Sequence, residues 1–410
     1  MIKSRPLTSL ERLYTQIMPI NVQLGIEVND KSILPTYIKR IQDFTMAMHL
    51  RADKDNLYTT NEVAPINHLP ENLPSLQDAV TYVLKNFKTK ETFPLANISI
   101  NSKYLVFNSC HSFCDGVFLT RILNQMQNPI KPVLPPFPTP IVVNFKEQIK
   151  KAKVIQRDYR DPQITHLENL KPKSADPSDI FQNYCSKFDA KSLTCYQNGK
   201  VSDLTNHFAS SMILASKAIS NLNDGYGAQN CVNLRPYLAN NRGQDLDIVD
   251  HVGIAVMTSE KPKTIRQLKT NLRASLNKSL SEKRFFSHMK WEIEHYVDGG
   301  ESEFPWIGLG NLVSHVGPVK IRKPITDVMM RVDMEEPFEF ISVIAYSVIS
   351  ETENSVRTHL TYGSEGISRK NVARYVNLFD YAMTKLDLET PIDDAISILR
   401  DVDSKFKYIK

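Results

Sequence analysis

Residues 108–116 read Asn-Ser-Cys-His-Ser-Phe-Cys-Asp-Gly, and the chain on either side leaves them little freedom in how they fold. Before them runs Tyr104-Leu105-Val106-Phe107, apolar and β-prone, the pattern of a buried strand. After them, residues 117–126 (VFLTRILNQM) are apolar at helical spacing, with Asp115 placed to cap the helix N-terminus. The pattern predicts a histidine at the end of a strand and, four residues later, a carboxylate and a glycine that open a helix. Such a turn holds one imidazole in a rigid, partly buried place, where a general base is useful. The chain has ten histidines. At average Asp usage roughly half an HxxxD is expected by chance, and roughly 0.03 once Gly must follow. His49 and Asp53 also form HxxxD, but Lys54 follows and His49 ends an amphipathic helical stretch. His49 is therefore read as structural and His111 as the candidate base.

A length of 410 residues exceeds one ordinary core and fits two domains of about 200 residues each. Hydrophobic content of 41% and charged content of 23% describe a globular chain. The longest apolar stretch, near Phe340–Ile349, is far short of a membrane span. The N-terminus has no apolar region of signal-peptide type, so a cytoplasmic location is expected. Peripheral attachment to an internal membrane is a second option, although the N-terminal helix is short and mixed in character. The net charge of +5 is spread along the chain without interleaved aromatics, which argues against a nucleic-acid partner. It suits a polyanionic small ligand equally well. Five cysteines (110, 114, 185, 195 and 231), odd in number and without CxxC, indicate a reducing compartment. No second cluster joins Cys110, His111 and Cys114 at zinc-like spacing, so no metal is expected.

Alternating patterns divide the chain into an N-terminal α/β domain at 1–140, a crossover at 141–179 and a second α/β domain at 180–410. In the first, a capping box at Thr8–Glu11 opens a short helix, strands are predicted at 21–28, 57–60, 95–101 and 104–108, and helices at 33–50 and 75–87. Prolines 129, 132, 135, 136, 138 and 140 make residues 128–140 extended and stiff. Residues 143–179 are lysine-rich and poorly periodic, a solvated crossover or a basic rim for phosphates. In the second domain, helices are predicted at 202–221 (with a Ser cap), 264–280 and 368–386. Its sheet would hold strands at 180–188, 229–234, 252–257, 307–313, 325–332, 338–349 and 356–362.

The turn resembles the HxxxDG signature of the coenzyme A-dependent acyltransferase superfamily. That superfamily includes chloramphenicol acetyltransferase, the plant BAHD acyltransferases, nonribosomal-peptide condensation domains and fungal alcohol acetyltransferases. Other segments are similar to the family in order: Pro6–Arg12 (PLTSLER), Met48–Arg51 (MHLR), Val232–Leu238 (VNLRPYL), Asn311–Val319 (NLVSHVGPV) and Leu360–Gly363 (LTYG). The chain is nearest the alcohol acetyltransferase branch and lacks the DFGWG of plant members.

The resemblance implies two chloramphenicol-acetyltransferase-like domains of mixed sheet flanked by helices, with a channel at their interface. It implies acyl transfer from acetyl-CoA or another acyl-CoA to a small, fairly apolar alcohol or amine, with no permanently bound cofactor. His111 would be the base in a direct attack. Asp115 would not serve as its triad partner but pair with Arg235 and hold the turn beside Gly116. Ser314 and His315, where the family commonly has Ser-Asn, would be candidates to contact the oxyanion or the pantetheine arm. An amide-forming condensation enzyme and a non-catalytic ligand-binding member remain the alternatives. A monomer is expected, since one chain supplies both walls of the cleft.

Overall fold

The computed structural model describes residues 3–17, 19–89, 94–128, 134, 136–154, 161–168, 184–238, 251–296, 308–334, 340–362 and 367–407. Much of the proline-rich stretch, residues 155–160 and 169–179 of the crossover, and Gly363 lie outside these residues.

The first half is built on a five-stranded sheet in the order β15-β2-β7-β6-β5. Its strands are β2 (Ile20–Val28), β5 (Ile66–His68), β6 (Ala96–Ile100), β7 (Tyr104–Cys110) and β15 (Ile325–Met334). Alternation sorts its two faces. Leu24, Ile26, Leu105 and Phe107 enter a core with α2 (Leu34–Phe44) and α4 (Gly116–Gln127). Tyr104 and Val106 turn to the opposite side and pack on α3 (Leu76–Asn86). Three short strands, β1 (Ser4–Pro6), β3 (Leu50–Ala52) and β4 (Asn56–Thr59), form a separate small sheet beside α1 (Ser9–Arg12).

The second half carries a sheet in the order β13-β12-β14-β16-β17-β9. These are β9 (Tyr184–Asp189), β12 (Tyr226–Asn233), β13 (Val252–Ser259), β14 (Gly308–Lys320), β16 (Phe340–Ile349) and β17 (Asn354–Tyr362). Helices α7 (Leu204–Ile219), α8 (Ile265–Ser281), α10 (Arg369–Lys385) and α11 (Ile392–Ser404) share its larger core. A two-stranded hairpin, β10 (Tyr196–Gln197) and β11 (Lys200–Val201), precedes α7. A third core joins α5 (Ile141–Asn144), α6 (Lys146–Lys151) and α9 (Phe285–Trp291) to Leu10, Leu13 and Leu234.

Four expectations are corrected. Residues 325–332 do not continue the second sheet: β15 pairs antiparallel with β2, Met329 opposite Gly25, and closes the first sheet instead. Its alternation suits either sheet, so only tertiary packing decides the partner. The crossover is not wholly solvated. It contributes α5, α6 and β8 (His166–Glu168), which pairs antiparallel with β14. The helix expected over 33–50 stops at Phe44, and Met46–His49 form a single 3-10 turn. At the start of α7 the cap is Asp203, at φ +54° and without a capping bond; its Oδ1 accepts from Asn206 at 2.5 Å.

The outer edge of β15 is where the halves join. An open strand edge presents unpaired peptide groups. Here side chains of the second sheet satisfy alternate ones. Arg357 donates to the Val328 carbonyl at 2.7 Å, Tyr346 Oη accepts the Met330 N–H at 3.1 Å, and Thr361 Oγ1 donates to the Val332 carbonyl at 3.0 Å. Tyr346 is 3% exposed, so its hydroxyl meets little bulk water. Tyr346→Phe is expected to leave the Met330 amide unsatisfied and cost about 1–3 kcal/mol, read as a lower denaturant midpoint with an unchanged slope.

Candidate active site

β7 is buried along its whole length and ends at Cys110, opposite Asn21 of β2. One 3-10 turn, His111–Phe113, follows. Phe113 and Cys114 are fully buried in the α2/α4 core and pin that turn. His111 is thereby placed just past the strand end, half-buried. The Nδ1 edge of its ring is buried.

Asp115 caps α4. Its Oδ1 accepts the Phe118 N–H at 2.9 Å. Its Oδ2 accepts Arg235 Nη1 at 2.7 Å and the His251 N–H at 3.2 Å. Both partners are out of water, Asp115 at 0% and Arg235 at 2% exposure. Burial alone would raise the carboxyl's pKa. The Arg235 charge and the hydrogen bonds from Arg235, Phe118 and His251 outweigh it and hold Asp115 below the usual carboxylate range. Three donors thus share its two oxygens, and the carboxylate shapes the turn. Arg235 itself begins a 3-10 turn after β12, and Asn233 Oδ1 accepts from its backbone N–H and Nη1 at 3.1 and 3.3 Å.

At Gly116 the two halves approach each other closely. A Cβ there would stand 2.8 Å from Val316 Cγ2. Val316 sits at a bulge, where the pairing of β14 with β16 shifts register between His315 and Gly317. Gly317 has φ +101°, a left-handed conformation that favours glycine. The bulge bends the end of β14 onto the start of α4.

The structure separates Ser314 from His315, because neighbours on a strand point to opposite faces. His315 turns to the helical layer, its Nδ1 3.0 Å from Thr205 Oγ1 and its ring 5.9 Å from Phe208. Burial lowers its pKa. Ser314 lies on the other face with Leu312, beside Cys231 of β12. His49, as expected of a structural residue, has its Nε2 3.0 Å from the Gln42 carbonyl.

Two neighbours of the turn carry no sequence signal. Tyr14 lies in a single π-helical turn, Leu13–Ile17, with its ring 5.9 Å from the His111 ring and its carbonyl accepting from Cys110 Sγ at 3.5 Å. The capping box of α1 anchors this turn: Thr8 and Glu11 exchange hydrogen bonds, and Glu11, 5% exposed, also takes Arg5 in a two-point pair at 2.8 and 2.6 Å. His251, fully buried, spans from Asp115 to Asn144, whose Nδ2 is 3.3 Å from its Nε2. A cavity of about 310 Å³ lies elsewhere along the seam, lined by Cys185, Lys187, Met329, Tyr346, Arg357 and His359. Met329 is level with Val106, four residues short of the Cys110 end of β7 and so roughly 13 Å from it. Among the described residues no group of three or more His, Cys, Asp or Glu is placed to hold a metal ion.

No protein-family model and no curated protein matches the chain. Solved structures match it in fold. One is a mutant of the starter condensation domain of rhizomide synthetase RzmA in complex with C8-CoA, at TM-score 0.62 and 10% identity, covering 93% of this chain and 94% of that one. Another is the epimerization domain from the third module of tyrocidine synthetase B, at TM-score 0.59 and 10% identity over 99% and 98% of the two chains. A third, described as CT, aligns at TM-score 0.53 and 12% identity over 96% and 92%. The chain therefore has the two-domain α/β fold of condensation domains and chloramphenicol acetyltransferase.

Two stability measurements test this geometry. Asp115→Asn leaves a guanidinium buried without its counter-charge and is expected to cost about 3–5 kcal/mol at neutral pH. Because folding lowers the Asp115 pKa, its contribution is present above the unfolded value near 4 and is lost as pH falls toward the folded one. The gap between wild type and Asp115→Asn should therefore narrow below about pH 4. Gly116→Ala is expected to cost about 1–3 kcal/mol through the clash with Val316, and Val316→Ala in the same chain should recover part of it.

Proposed function

We propose that this protein transfers an acyl group from coenzyme A to the hydroxyl or amine of a small, apolar acceptor, with His111 as general base. The observation that carries the reading is the division of labour at the turn. Asp115 is engaged by Arg235, Phe118 and His251 and so is committed to the turn, and the imidazole that this turn presents, half-buried, is that of His111. A thioester carbonyl is already activated, so the protein need only remove the acceptor's proton and steady the oxyanion. His111 takes that proton as the acceptor's oxygen or nitrogen bonds to the carbonyl carbon. The carbon–sulfur bond then breaks, and the proton passes to the departing thiolate. No acyl-enzyme forms, so Cys110 and Cys114 need not be nucleophiles. Ser314 is the candidate donor to the oxyanion or to the pantetheine arm, since it lies on the sheet face away from α7. Both halves of the site come from one chain, so a monomer suffices, and the acyl donor is a co-substrate.

The alcohol acetyltransferase branch remains the preferred acceptor class on the sequence motifs. Amide formation of the condensation type is the second reading. It is favoured by the fold likeness to a starter condensation domain whose solved structures hold C8-CoA and, in one case, Leu-SNAC. The test is release of free coenzyme A thiol from acetyl- and octanoyl-CoA with pooled alcohols and pooled amines. Acceptor-dependent release should fall by about 10²–10⁴-fold in His111→Ala. Equal release from both proteins removes His111 from the mechanism. Binding of acyl-CoA without release in any pool favours a non-catalytic ligand-binding protein.

A further inference from the structure

The stretch from Ile141 to Val154, which contributes α5 and α6, carries Lys146, Lys150, Lys151 and Lys153 against Glu147 alone. That is a net +3 within fourteen residues of a chain whose whole net charge is +5. All four lysines are exposed. Some surface lysines elsewhere meet carboxylates, as in Lys39–Asp43, Lys103–Glu27, Lys187–Glu353 and Lys405–Asp401. The four of this segment enter no ion pair among the described residues. Two aliphatic side chains stand out with them, Val143 at 54% exposure and Val154 at 45%.

The inner side of the same segment is firmly seated. Ile141 and Phe145 are buried, and the Phe145 ring lies 5.1 Å from that of Phe286 on α9. Lys290 donates to the Ala152 carbonyl at 3.0 Å and to that of Lys150 at 3.4 Å, closing the end of α6. The lysines therefore project from a fixed support, and through Asn144 and His251 that support is tied to Asp115.

We propose that this platform seats the protein on an anionic lipid surface. Clustered, unpaired ammonium groups gain from the negative potential of such a surface, while flanking valines enter its interfacial region. A protein partner would instead need a pocketed aromatic or arginine anchor at the centre of the patch. This face offers spread point charges and short aliphatics. The inference does not rest on acyl transfer, and its test reads no enzymatic activity.

The full chain would be sedimented with vesicles of phosphatidylcholine alone and of phosphatidylcholine mixed with phosphatidylserine, at low and at physiological ionic strength. Binding is expected to the mixed vesicles only, and to weaken with salt. At about fivefold per lysine, K146E/K150E/K151E/K153E should reduce partition by more than about a hundredfold. Val143→Ser with Val154→Ser should reduce it a few-fold. K261E/K263E/K370E/K385E, which makes the same change in net charge elsewhere on the surface, should bind nearly as wild type. Absence of binding to the mixed vesicles at low salt overturns the proposal. So does an equal loss in the two lysine variants, which would leave net charge alone as the cause.

Discussion

The ion pair between Asp115 and Arg235 is the contact through which the His111 turn depends on both halves. Asp115 opens a helix of the first half; Arg235 begins the turn that follows a strand of the second. Removing two charges from water is expensive, and in many proteins a well-packed apolar pair would be at least as stable. What the pair adds is direction. A carboxylate with three donors and a guanidinium braced by Asn233 fit together in one arrangement, and that arrangement fixes where β7 must end and where His111 stands. The arrangement fails if either half moves: without Arg235 the carboxylate is buried with no counter-charge.

A second constraint acts beside the first. β15 leaves the second half to complete the first sheet, and its outer edge is sealed by side chains of Arg357, Tyr346 and Thr361 rather than by another strand. Side-chain hydrogen bonds thus join two sheets without a continuous backbone ladder between them. The bulge at Val316 performs a related task for β14, bending its end until Val316 meets Gly116. Three local devices, an ion pair, a sealed edge and a bulge, thus hold the two layers against one another.

Much of this was legible in the sequence, and the parts that were not share a cause. Period-two alternation located most strands, and helical spacing, with Thr8, Ser75, Asp115 and Ser368 as caps, located most helix starts. The His111 turn was visible because strand, turn and helix are adjacent in the chain. The partner of β15 was not, since its alternation fits either sheet and pairing is decided about 300 residues away. Tyr14 and His251 were missed for the same reason: each reaches the turn from a distant segment with no local pattern. Ser314 and His315 were read together because they are adjacent, whereas strand geometry sends them to opposite faces. The final helix, Ile392–Ser404, begins after a proline with no side-chain cap, which left its start without a signal.

The exchange of β15 also orders the protein's birth. During synthesis the first half emerges complete in sequence long before Ile325–Met334 leaves the ribosome, so β2 waits as an exposed edge while nearly 300 further residues are made. An unpaired hydrophobic edge of nine residues is an invitation to pair with a neighbouring nascent chain. The two halves are therefore not separable modules: expressed apart, the first would lack a strand and the second would carry one it cannot use.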